Sequence, residues 1–165
     1  MVISRDQVHT LAEACSDNPD SFRGIATRLL KDQKTITNFL NKNLRHLDPA
    51  TREVVLYMFS VCIRVIDQSG GQIKRATTSQ IDAAAARVNG YVGKCLPFDG
   101  DFPSRVRTVD ARAQEHLLDE VLWALFEREE KTEEEVDVPH EQAGLMFLLL
   151  WVAVEVLNEN WTPGV

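Results

Sequence analysis

The stretch from Ala143 to Val154, AGLMFLLLWVAV, has no charged side chain and one hydrogen-bonding group, the indole N–H of Trp151. A helix that is apolar on every side has no face to give to water, so this pattern predicts a core helix surrounded by the rest of the chain. Glu141 and Glu155 bracket thirteen residues, about 20 Å at helical rise against the roughly 30 Å hydrocarbon core of a bilayer, so no membrane span is expected. A second apolar run lies between Glu53 and Asp67. There Glu53, Tyr57, Ser60, Arg64 and Asp67 form one polar stripe, and Asp48-Pro49 supplies the start signal.

Weaker periodic segments fill the remainder. Ser4 with Gln7 fits a capping box before a first helix reaching about Cys15, and Asn18-Pro19 opens the next. Apolar spacing continues from Phe22 to Leu47, interrupted by Lys31-Asp32-Gln33-Lys34-Thr35, where a break with Thr35 capping Ile36 onward is expected. Ser69-Gly70-Gly71 stops the central helix, and residues 69–76 read as a flexible connector. Thr77 with Gln80 opens a helix carrying a row of small residues, Ala83, Ala86, Gly90 and Gly93, which suggests close approach of a neighbouring backbone. Residues 96–107 read as a loop, Thr108 or Asp110 as a helix start, and Trp161 as an anchor for the tail. The expected fold is all-α, a single domain over 1–165. It is a bundle of six or seven helices around two strongly apolar ones, about 49–68 and 139–159. MFSVCIRVID (58–67) and LLWVAVEVLN (149–158) align without a gap, so a duplicated helical hairpin is an option.

Composition adds that 165 residues with 44% hydrophobic and 26% charged side chains suffice for one packed core. Three cysteines, Cys15, Cys62 and Cys95, share no metal or redox spacing, which points to a reducing compartment and a cytoplasmic protein. The start, MVISRDQ, has no apolar signal segment. The net charge of −7 hides a division: residues 1–115 carry a balance of +3 and residues 116–165 a balance of −10. Such a dipolar chain steers encounters with charged partners.

Candidate chemistry is sparse. His9 with Glu13 and His116 with Glu120 stand four apart, the spacing of helix-surface pairs, and neither pair has the Glu-x-x-His spacing of a dimetal bundle. No metal and no cofactor is expected. No nucleophile elbow, activated cysteine or phosphate loop stands out, so no catalytic residue is assigned. The leading reading is a small acidic module for protein–protein interaction: a regulator, an adaptor, or an inhibitor that neutralises a basic partner. Glu133, Glu134 and Glu135 are its electrostatic hook, and Phe98, Phe102, Leu148 and Trp151 are its candidate apolar contacts. Leu148 and Trp151 fall on the line joining the polar ends of the last helix, and covering them is a reason to expect a homodimer. The alternative is nucleic-acid binding through the basic helices 21–52, with Arg23, Arg28, Lys31, Lys34, Lys42 and Arg45 on phosphates. A helical-bundle enzyme is the third reading.

Overall fold

The computed structural model describes residues 1–128 and 138–164. Among them are the helices α1 (Arg5–Asp17), α2 (Pro19–Asp32), α3 (Lys34–Asn43), α4 (Pro49–Gln68), α5 (Thr78–Val92), α6 (Phe102–Arg107), α7 (Glu115–Leu122) and α8 (His140–Asn160). A π-helical turn, Trp123–Glu127, continues α7, and two-residue strands β1 (Gln72–Ile73) and β2 (Trp161–Thr162) pair antiparallel. The class is all-α.

Local chemistry sets the boundaries. Asp48 caps α4 by accepting from the Thr51 N–H at 2.9 Å, with Pro49 at the first helical position. Thr77 and Gln80 make a full capping box at α5. At α1 the box is half made: Ser4 accepts from the Gln7 N–H, while the Gln7 amide donates to Ser69 Oγ at the end of α4. The break between α2 and α3 falls at Gln33 rather than before Ile36, and Thr35 does not cap it. Gln33 is buried and its amide is used across the fold, donating to the Lys74 carbonyl at 3.0 Å and accepting from the Ala76 N–H at 3.2 Å.

α8 is the interior element, packed against α3, α4, α5, α7 and the π turn. It is 21 residues long, about 31 Å at helical rise, so length alone does not exclude a bilayer span. What marks it as a core helix is cover, since 72% of its most apolar window is buried within the chain. α4 packs against α8 on one side and against α1, α2 and α3 on the others. An aromatic series runs through the centre, from Phe98 to Phe102, Phe147 and Trp151, with Tyr91 stacked on Trp151 at 5.8 Å.

Four expectations are corrected. Residues 96–107 contain α6, seated through the buried Phe102, Pro103 and Val106. α7 begins at Glu115, because Gln114 takes a left-handed conformation (φ 51°) that no preceding helix could pass through. The row Ala83, Ala86, Gly90 and Gly93 faces solvent, and a Cβ at either glycine would meet nothing, so no backbone approaches there. Ser60, expected on the polar stripe of α4, is buried and donates to the Tyr57 carbonyl at 2.6 Å.

The connector and the tail close on each other. Gln72 pairs with Thr162 and Ile73 with Trp161, and the Trp161 indole donates to the Gly70 carbonyl at 2.8 Å. Gly71 has a φ of 77°, and a side chain there would overlap the Thr162 carbonyl, so this crossing requires glycine.

Gly144 is the one glycine of α8 and abuts the Phe98 ring; a Cβ there would lie 2.6 Å from Phe98 Cγ. Gly144→Ala is expected to destabilise the fold by about 1–3 kcal/mol through overpacking. In urea unfolding, Phe98→Ala should absorb part of that loss, so that the double variant is more stable than the two single losses sum to. Additive losses would show that the ring moves aside freely.

Candidate functional site

The histidine pairs assemble differently from their spacing. α1 and α7 are neighbours, and His9 Nδ1 lies 3.4 Å from Glu120 while its Nε2 lies 3.7 Å from Glu13. His116 turns away, with Nε2 at 4.0 Å from Glu115 and a buried Nδ1 that has no hydrogen-bond partner among the described residues. One histidine between two carboxylates leaves a donor set that does not close around an ion, and no group of metal-holding side chains exists among the described residues. The cysteines are poor nucleophiles. Burial raises all three thiols above their ordinary value, Cys62 to about 12, so each is protonated at neutral pH.

The largest buried polar cluster joins the ends of the chain. Glu155 Oε2 accepts from the Ala113 N–H at 2.7 Å, and Arg87 Nε approaches Oε1 at 3.8 Å. Next to it Gln114 accepts from the Ile3 N–H and donates to the Met1 carbonyl and to Asn158 Oδ1. Asn160 donates to Gln80 and to the Val156 carbonyl. Every one of these groups is consumed by the fold. Among the described residues these bonds all run to other parts of the fold.

The cations divide into two kinds. Arg87 is held by Glu159 at 2.9 Å, Arg105 by Asp99 at 2.9 Å, Arg112 by Asp119 at 2.7 Å, and Arg107 by Asp119 and Glu127. Arg105 in turn keeps the Asp99 carboxyl below the ordinary carboxylate range. By contrast Arg23, Arg28, Lys31, Lys34, Lys42 and Arg45 are all exposed, and none pairs with a described carboxylate. Lys34, Lys42 and Arg45 share one face of α3 and its C-terminal extension, with Asn38 and Asn41 between them. Lys74 and Arg75, on the connector that Gln33 holds, are also exposed and form no ion pair among the described residues.

Of the expected apolar contacts, Trp151 and Phe102 are fully buried within the chain itself, and Phe98 and Leu148 are half-buried against the core. Cover for Trp151 therefore needs no second copy. Glu133, Glu134 and Glu135 lie outside the described residues. The large hydrophobic side chains that do reach solvent include Tyr57 and Trp123, each 44% exposed. Tyr57 is packed edge-on against Phe22 and lies within electrostatic reach of Arg128, whose N–H donates to the Trp123 carbonyl at 2.9 Å. Tyr57 was legible as a polar-stripe residue. Trp123 was not, because its apolar side chain stands on the face of α7 that also carries His116, Asp119 and Glu120, opposite the buried Leu118, Leu122 and Leu125. Comparison with protein families, with curated proteins and with solved structures finds no match for the chain.

Burial is the largest influence on Glu155 and raises its carboxyl above the ordinary value, while the Ala113 N–H and Arg87 pull the other way. The folded chain therefore holds this proton more tightly than the unfolded chain. The stability so gained is full at pH below the ordinary carboxylate value and is lost as the pH rises through the raised one. In urea unfolding, the stability of the wild type relative to Glu155→Gln should grow as the pH is lowered from 7 to 4. A flat or reversed difference would mean that Arg87 and Ala113 outweigh burial.

Proposed function

We propose that this is a non-catalytic protein–protein interaction module whose contact surface centres on Tyr57 and Trp123. The observation that carries this reading is their exposure on a chain that buries its other tryptophans and half-buries its other tyrosine, with Arg128 within electrostatic reach of Tyr57 and joined through its backbone N–H to the Trp123 carbonyl. Tyr, Trp and Arg are the side chains most enriched among residues that dominate interface energies, because each combines a large apolar area with a polar tip. The acidic run of residues 129–137 follows Arg128 directly in sequence, and its charge favours a basic partner for the chain. Buried, unpaired cysteines are in keeping with a reducing, cytoplasmic setting. For the scaffold we propose two apolar helices, α4 and α8, as the centre of the bundle and a duplicated hairpin as its origin; the direct packing of α4 on α8 supports both.

The test is affinity capture by the full chain from its native host, followed by a binding titration with the captured protein. Trp123→Ala and Tyr57→Ala should each weaken binding by about 2 kcal/mol, and Asp82→Ala, on the exposed face of α5, should not. Equal capture by all four chains would overturn the assignment of this surface.

A second reading, nucleic-acid binding by α2 and α3, is favoured by the unpaired cations of that face. It predicts a gel shift at low salt that Lys42→Ala and Arg45→Ala each reduce and that fades steeply as salt is raised. A shift insensitive to both variants and to salt would remove it.

A further inference from the structure

A cavity of about 240 Å³ opens at the elbow between α2 and α3, lined by Lys31, Asp32, Gln33, Lys34, Thr35 and the facing Arg75-Ala76. Its three cations come from three separate elements and none has an ion-pair partner among the described residues. Three like charges gathered around one hollow repel one another, and the single carboxylate at its edge, Asp32, leaves a surplus of two. The hollow is also the start of a ten-residue helix without a side-chain cap. Gln33, at the capping position, uses both ends of its amide on Lys74 and Ala76, so the first-turn N–H groups of α3 have no side-chain acceptor at the capping position among the described residues. The same two bonds hold the Arg75 backbone against the elbow, so the three cations are positioned by the fold.

We propose that this elbow binds a single phosphate group, as free phosphate or as one phosphate of a nucleic-acid strand. Positive side chains, uncapped helix amides and the Thr35 hydroxyl together match the several acceptor oxygens of a tetrahedral dianion. The volume is below the roughly 300–1,000 Å³ of pockets that enclose a whole organic ligand, a size that suits an anionic group. The site does not rest on the Tyr57 and Trp123 surface, and either can fail alone.

The probe is inorganic phosphate, titrated at constant ionic strength against a chloride control and followed by amide NMR shifts of the full chain. Saturable shifts at Lys34, Thr35 and Ala76 are expected with phosphate and not with chloride. Lys34→Ala and Arg75→Ala, both surface changes, should each weaken binding about tenfold, and Asp32→Asn should tighten it. Shifts that never saturate, that chloride reproduces, or that survive both alanine variants unchanged would overturn the proposal. A pair of short oligonucleotides, with and without a 5′-phosphate, separates the sources. Competition with phosphate by either strand assigns the site to nucleic acid, and an end-phosphate requirement places the strand terminus there. Phosphate binding with no competition assigns it to the free anion.

Discussion

A helix that is apolar around its whole circumference must be covered on every side, and α8 imposes that demand on the rest of this chain. Each large side chain it buries contributes roughly 1.5–3 kcal/mol, which is available only if neighbours close over all its faces. α4 and α5 supply two sides, while α3, α7 and the π turn supply the others. Polar groups toward the C-terminal end of α8 turn this non-directional packing into a specific one. Glu155, Asn158 and Asn160 take hydrogen bonds from Ala113 and Gln114 and give them to Gln80, so that the segment before α7 and the start of α5 are fixed against one end of the core helix. A buried carboxylate is a costly way to do this, since its desolvation is only partly offset by one amide and a loosely placed guanidinium at 3.8 Å. Its use is positional: Ala113 and Gln114 stay where the left-handed Gln114 can accept from the Ile3 N–H and so hold the N-terminal segment.

The same distinction sorts the charged residues. Arginines between 87 and 112 are used to hold helices together, and a side chain with its donors so occupied has little to offer a ligand. Cations on α2, α3 and the connector contribute no ion pair among the described residues. Their mutual repulsion costs stability at low ionic strength, and a surface that bears such a cost without structural return is where recognition of an anion is to be sought.

Much of the scaffold was legible from end signals. Asp48-Pro49, Thr77 with Gln80 and Asn18-Pro19 each mark a helix start in the structure. What could not be read has physical causes. A two-residue strand pair is shorter than any periodicity, and β1 with β2 exists because Gly71 permits a close crossing and Trp161 reaches the Gly70 carbonyl. Gln114 is a left-handed residue with none of the usual markers, held there by partners more than forty positions away. Small residues on α5 say that a neighbour could approach without saying that one does. The site was legible in part: Arg23, Arg28, Lys31, Lys34, Lys42 and Arg45 reach solvent as their polarity implied, whereas Trp151, placed on the line between the polar ends of the last helix, and Phe102, placed on a loop, were taken by the core. A place on a polar stripe was no surer guide, since Tyr57 stood on one and reaches solvent while Ser60 on the same stripe is buried.

The elbow at Gln33 shows how closely fold and site can be tied. A helix start generally satisfies one of its free N–H groups with the residue at the capping position. Here that residue is an amide long enough to reach the opposite connector, and it bonds there at both ends. The connector is thereby held in a region of two glycines at positive φ that would otherwise make it mobile. The same choice leaves the amides of α3 uncapped between Lys31, Lys34 and Arg75. Fixing the loop and leaving the helix end open are therefore one event, and replacing Gln33 with a shorter capping residue would close the helix end while releasing the loop that carries Arg75.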